Sequence, residues 1–270
     1  MNFVIQFKEE DITSLLKKEN KIILPAYEFC YAAINAINYH NWWFFTNHTY
    51  TKANKEHINL HSFNPTYDDI PVGSVEFCLD FYHKLNKDIN IKPLNIPKEL
   101  LKYTKRKCIY FKNILEYNED VFPYPQAFVK SANQIKDSHN KIYVFNNSYD
   151  YKQLCNMGEI FVSEYIQDVV SEWRVFVYNG KIEGIKCYSG DEWILPDKEY
   201  INIIISNYNK KAYTLDVMID ERGNTDILEL HDFFACGTYG FDSKNYVNML
   251  IASHRDIIKD YKINEITINS

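Results

Sequence analysis

Two strand-like runs, Glu172-Trp-Arg-Val-Phe-Val-Tyr178 and Lys181-Ile-Glu-Gly-Ile-Lys-Cys-Tyr188, have only Asn179-Gly180 between them. A connection that short admits an antiparallel hairpin and excludes a helical crossover, which takes a dozen or more residues. Period two puts Glu172, Arg174 and Phe176 on one face of the first run, and Trp173, Val175 and Val177 on the other, core-like face. Turn length then decides where Lys186 points. A two-residue turn pairs it with Trp173. A three-residue loop with Gly180 in the left-handed position pairs it with Glu172 and sets Ile185 beside Trp173. Hydrophobic patterning favours the second register, in which Glu172, Arg174 and Lys186 share one polar face.

The same texture runs through the second half of the chain. Strands are expected at 126–130, 141–145, 160–166, 212–219 and 225–232, with helices over 149–157, 198–209 and 243–262. Hairpins outnumber βαβ units, so the class is α+β. Earlier in the chain, Phe3–Phe7 and Ile22–Leu24 read as strands and Tyr27–Asn38 as a helix. Pro71-Val-Gly-Ser-Val-Glu-Phe77 reads as a turn entering a helix capped by Ser74. Lys92-Pro-Leu-Asn-Ile-Pro97, bracketed by prolines, is the candidate boundary between a first domain of residues 1–100 and a second of 101–270.

Asp216 is a carboxylate inside the otherwise apolar run Tyr213–Ile219, and Glu229 and His231 share a face of the run Thr225–Asp232. A four-residue loop over 221–224 sets Asp216 opposite Glu229. Facing carboxylates repel unless a cation lies between them. Magnesium is the natural occupant, since it prefers hard oxygen ligands. A lone acid on a strand is more often a solvated edge residue. The coincidence of Glu, Arg and Lys on one hairpin and two acids on the next argues for a site.

Several classes are excluded. A net charge of −6 speaks against a nucleic-acid partner. None of the six cysteines lies in a CxxC pair, which disfavours structural zinc and suits reduced thiols in the cytoplasm. No apolar run approaches the roughly 18 residues of a membrane helix. The chain contains no GxxxxGK[ST] loop, and Gly237-Thr-Tyr-Gly240 is too sparse for a dinucleotide fingerprint.

In Ser171-Glu-Trp-Arg-Val-Phe-Val, Tyr188-Ser-Gly-Asp191, Leu215-Asp216, Leu228-Glu-Leu-His-Asp-Phe233 and Gly237-Thr-Tyr-Gly240, the chain resembles the ATP-grasp fold. It is similar in particular to the clade of bacteria and phages named for one arginine and two lysines, over about residues 70 to 255. The resemblance implies two α+β subdomains clasping ATP, with a hinge near 161–168, behind a small α/β N-terminal domain. It implies that Lys130 and Lys136 reach the nucleotide phosphates, and that Glu164, Tyr165 and Ile166 meet the adenine edge. Arg174 is expected at the transferred phosphate, with Lys186 as a second catalytic cation and Glu172 in the nucleotide-binding set. Asp216 and Glu229 are expected as metal ligands.

One departure stands out: His231 occupies a position where the family usually has Asn. Imidazole is a poorer magnesium partner than an amide oxygen, so the change weakens one metal, favours manganese or marks lost activity, unless the histidine is a surface substitution outside the ligand set. The implied activity is an ADP-forming carboxylate–amine ligase working through an acyl phosphate. Its substrates would be small-molecule or peptide carboxylates and amines, with a homodimer left open. A catalytically impaired nucleotide-binding protein acting through a partner is the alternative, and an ATP-dependent phosphotransferase a third.

Overall fold

A computed structural model describes residues 1–8, 24–54, 63–135, 140–145 and 147–268. The expected strand at 22–24 lies largely outside them, and so does Lys136. In chain order the first elements are β1 (Asn2–Gln6), α1 (Glu28–Phe44), β2 (Thr49–Ala53), β3 (Asp69–Val72), α2 (Val75–Leu85) and β4 (Cys108–Phe111). There follow β5 (Gln126–Ser131), β6 (Lys141–Val144), α3 (Ser148–Leu154), β7 (Ile160–Glu164), β8 (Val169–Tyr178) and β9 (Lys181–Gly190). The last are α4 (Lys198–Ser206), β10 (Ala212–Asp220), β11 (Thr225–Asp232) and α5 (Tyr246–Ile268). Two short 3₁₀ turns, Lys98–Tyr103 and Ile114–Glu116, flank β4.

The chain packs as two units. One holds Met1–Ile91, Lys211–Tyr213 and Asp232–Ser270. Its sheet is parallel in the order β2-β1-β3, so α1 serves as the crossover that a parallel pair requires. Helices α1 and α5 pack on each other and on β3. Phe3, Val4 and Ile5 are wholly buried, as expected of a central parallel strand covered on both faces. β3 takes in Pro71 and Val72, where a turn is expected, and the expected cap is present: Ser74 Oγ accepts from Phe77 N at 3.1 Å at the start of α2. The strand β2 gave no sequence signal, because four of its five residues are exposed.

The other unit holds Lys92–Lys210 and Thr214–His231 and contains two four-stranded sheets. The order β4-β7-β5-β6 is antiparallel throughout. Along β5 the residues alternate, with Ala127, Val129 and Ser131 buried and Phe128 and Lys130 on the opposite face. Ala127 and Val129 join a core with Phe111, Phe122, Tyr143 and Val162. The second sheet runs β11-β10-β8-β9, which puts β10 beside both β8 and β11. No helix among the described residues is long and apolar enough to cross a membrane.

The hairpin β8–β9 differs from both registers considered above. Tyr178 pairs with Lys181 around a two-residue turn, with Asn179 at φ 50° and Gly180 at φ 71°. Such a turn alone would have sent Lys186 to Trp173. A bulge between the pairs Phe176–Gly184 and Val177–Ile182 adds a residue on β9 and moves the register by one. Arg174 therefore faces Lys186, and Ile185 faces Val175. The expected three-residue loop is wrong, yet Arg174 and Lys186 do share a face, with half-buried Ile185 on the Val175 side.

Candidate active site

Strand β10 is buried along nearly its whole length. A carboxylate there needs partners, since an unpaired buried charge costs several kcal/mol. Asp216, 2% exposed, receives Arg174 from the neighbouring β8 in a two-pronged pair, Nε to Oδ1 at 2.8 Å and Nη2 to Oδ2 at 2.7 Å. Arg174 also lies over the Tyr188 ring, 5.7 Å from its centroid. Burial, with Asp216 and Glu172 close by, pushes the Tyr188 hydroxyl far above the ordinary phenol range, and Glu172 hydrogen-bonds to it.

On β11, Glu229 is gripped from two sides. Lys130 Nζ on β5 forms an ion pair with Oε2, and His231 Nε2 lies 2.7 Å from Oε1. Burial works against ionisation of Glu229, but His231 and Lys130 outweigh it and hold the carboxyl well below the usual carboxylate range. Donor atoms of Asp216, Glu229 and His231 all lie within 4.8 Å of one another. The two carboxylates come close to each other, and the cations beside them are Arg174 and Lys130. Two carboxylates and an imidazole at this spacing fit a divalent cation with mixed oxygen and nitrogen ligands.

Glu229 also lines a cleft of about 270 Å³ within the same unit. Lys130, Glu164, Tyr165, Ile166 and Glu172 line it too. The strand expected to reach residue 166 ends at Glu164, which frees Tyr165 and Ile166 to form the cleft wall. Phe128, Phe161, Met218 and Leu228 supply apolar walls suited to a flat aromatic base. Arg174, Asp216 and His231 lie outside this lining and connect to it through Glu229 and Glu172. Lys186 is half-buried opposite Arg174 and is likewise not part of the lining.

Two contributors were not anticipated. Tyr188 belongs to the cleft wall, and its place at the head of the Tyr188-Ser-Gly-Asp191 motif was the available signal. The side chain of Arg106, 8% exposed, donates from Nη1 to Ser163 Oγ (3.2 Å) and the Glu164 carbonyl (3.4 Å). Its Nη2 donates to the carbonyls of Ile227 and Leu228, each at 3.1 Å. One guanidinium thus ties the end of β7 to the strand that carries Glu229. The Asp226 carboxylate steadies the approach by accepting from Lys105 N and Arg106 N, both at 3.0 Å. Asn95, in the proline-bracketed segment, is buried, and its carbonyl accepts from Leu230 N at 2.6 Å, so that segment is pinned to β11 as well.

A strand lysine beside a hinge-like turn, with two acids on an adjoining hairpin, is the arrangement of the α+β ATP-grasp fold. Residues 103–249 match the ATP-grasp domain family that is the second of the clade named for one arginine and two lysines, and the chain belongs to that family. In fold it is similar to D-cycloserine synthetase DcsG, with a TM-score of 0.54 and 8% identity over 95% of this chain and 100% of that one. The ATP complex of D-alanine–D-alanine ligase from Bacillus anthracis gives 0.49 and 14% over 96% and 98%. A RimK domain ATP-grasp protein from Sphaerobacter thermophilus DSM 20745 gives 0.47 and 11% over 97% and 99%. No curated protein matches the chain in sequence.

Proposed function

We propose that the chain is an ADP-forming, ATP-dependent carboxylate–amine ligase. The observation that carries this reading is that Lys130, Glu164, Tyr165, Ile166, Glu172 and Glu229 line one cleft, whose Glu229 also belongs to a three-donor cluster. Family membership supports it. On this reading residues 101–270 form the ATP-grasp domain with a hinge at 161–168, behind an N-terminal domain of 1–100.

The residues divide the work by chemistry. Tyr165, Ile166 and the Glu164 backbone receive the adenine, while Lys130 and Lys136 draw the phosphates inward. Glu172 holds the nucleotide from the β8 side. Arg174 and Lys186 supply positive charge where the γ-phosphoryl group moves. Asp216, Glu229 and His231 would hold magnesium or manganese, which supplies further charge neutralisation on the phosphates. A substrate carboxylate oxygen attacks the γ-phosphorus and ADP leaves. An amine then attacks the acyl carbon and inorganic phosphate leaves. The amine step requires exclusion of water from the acyl phosphate.

ADP release is to be screened against amino acids, peptides and small carboxylates with and without amines, with hydroxylamine added to trap acyl phosphate. Amine-dependent ADP release, and a hydroxamate when hydroxylamine replaces the amine, is the expected result. Phosphorylated product without hydroxamate would replace ligase with phosphotransferase.

His231 favours a second reading, a nucleotide-binding protein without turnover, because its Nε2 already occupies Glu229 at 2.7 Å. The two separate on one substitution. In a ligase that merely tolerates the histidine, His231→Asn keeps or raises ADP release with magnesium. If the histidine is a ligand, the wild type works better with manganese than with magnesium. ATP binding with no turnover in either protein, with either metal and any acceptor, would leave the second reading standing.

A further inference from the structure

Helix α1 turns an unusual face outward. Cys30, Ala33, Ile37 and His40 are buried, whereas Tyr31, Tyr39, Trp42 and Trp43 are 58%, 44%, 69% and 53% exposed. At 100° per residue these four, with Asn35, fall within a third of the helix circumference. They form one continuous stripe. The stripe is ordered within itself, with Tyr39 stacked on Trp43 at 6.0 Å and Trp42 5.7 Å from Trp43. Phe45, which ends the helix in the left-handed conformation, is 92% exposed. From Phe29 to Thr51 the sequence contains no Asp, Glu, Lys or Arg.

Beside the stripe runs a groove of about 520 Å³, walled by Tyr31, Ala32, Asn35, Ala36 and Tyr39 and by the loop Thr238–Lys244 of the same unit. Glu28 secures that loop by accepting from Thr238 N and Gly240 N, each at 3.2 Å, and from Thr238 Oγ1. The wall is therefore fixed; the one acid on the helix is already engaged, and the loop side of the groove carries exposed Asp242 and Lys244.

We infer that this face docks a second copy of the chain, with the two α1 helices antiparallel about a two-fold axis. The spacing is self-complementary. Ala32 and Trp43 are equidistant from the point between residues 37 and 38, and so are Ala36 and Tyr39. An antiparallel partner centred there lays Trp43 on Ala32 and Tyr39 on Ala36, at both ends alike. The alanines let two helix axes approach to the usual ~8–10 Å, and each groove receives the partner's rings.

The charge pattern selects the same occupant. Two molecules of net charge −6 repel least across a surface like the helix stripe, which carries no charged side chain, and the loop wall carries one charge of each sign, Asp242 and Lys244. At about 150–250 Å² per aromatic side chain, the exposed fractions of these five rings amount to roughly 500–800 Å², close to the ~800 Å² that each partner gives a standard interface. Aromatic enrichment with charge depletion is also the composition of an interface centre.

Sedimentation velocity on the full chain from about 1 to about 100 µM tests this. The expected result is a monomer–dimer equilibrium reaching dimer at the upper end. Trp43→Lys should weaken it at least ~30-fold, the effect of losing an interface hot spot. Ala32→Glu should weaken it too, and Ala32→Glu combined with Trp43→Lys should recover part of the loss, because position 32 then meets position 43 of the partner with opposite charge. An unchanged far-UV circular dichroism spectrum shows that the variants fold. A monomer throughout the range, or a dimer that neither single substitution weakens, would overturn the inference. Failure of the double variant to recover would overturn the antiparallel pairing.

Discussion

Arg174→Ala is expected to cost both stability and turnover. The pair it breaks is almost fully buried, with side-chain exposures of 10% and 3% for Arg174 and Asp216. Removing one member of such a pair typically costs about 3–5 kcal/mol, because the other charge stays buried without its partner. Chemical denaturation should therefore show a lower midpoint at unchanged slope. Combining Arg174→Ala with Asp216→Asn should recover part of the loss, since the stranded charge is gone; the cycle measures the coupling directly. Arg174→Lys should fall between, keeping the charge and losing the fork. ADP release should drop at least ~100-fold in the alanine variant, the scale seen when a positioned donor to a developing charge is removed. An Arg174→Ala protein as stable as wild type would show that Asp216 finds other partners. Wild-type turnover in the same protein would remove Arg174 from the mechanism.

Lys130→Ala should erase most of the stabilisation that ATP gives. A ligand at a hundred times its Kd raises unfolding free energy by about 2.7 kcal/mol, and thermal melting with millimolar ATP and magnesium reads that shift directly. Lys130 faces the cleft from β5 and is the cationic side chain bound to Glu229 Oε2. Without it, phosphates lose a counter-charge and Glu229 loses its lysine partner. The variant's melting temperature without ATP gives the structural part of the effect, so the ATP-dependent shift isolates the binding part. A wild-type shift in the variant would place the phosphates elsewhere, and no shift in the wild type itself would sink the nucleotide reading altogether.

How much of the site was legible depended on where its signal was stored. Asp216 stood out because an acid interrupts an apolar run, and Glu229 and His231 because they share a face two residues apart. Alternation is local, so it can be read without coordinates. Arg106 left no such trace. Its role rests on carbonyls at Glu164, Ile227 and Leu228, the first 58 and the others about 120 residues away in sequence. The basic triplet Lys105–Lys107 does not show that one member turns inward. The strands β2 and β3 were missed for a similar reason: they are held by parallel pairing to β1 rather than by their own pattern.

The β8–β9 hairpin separates the two kinds of information. Its sequence determined that Arg174 and Lys186 share a face and that Ile185 lies on the Val175 side, because burying apolar side chains dominates register. It did not determine the turn. A bulge costs little and is placed by packing, so a two-residue turn and a shifted ladder coexist, as alternation alone could not reveal. The pairing of charges was decided the same way. Spacing brought Asp216 and Glu229 to one place, but only neighbouring strands, β8 and β5, could show that Arg174 takes one acid and Lys130 the other. Residue patterns record what must be buried. Which cation answers which buried carboxylate depends on strand order, a long-range property that a single sequence does not encode locally.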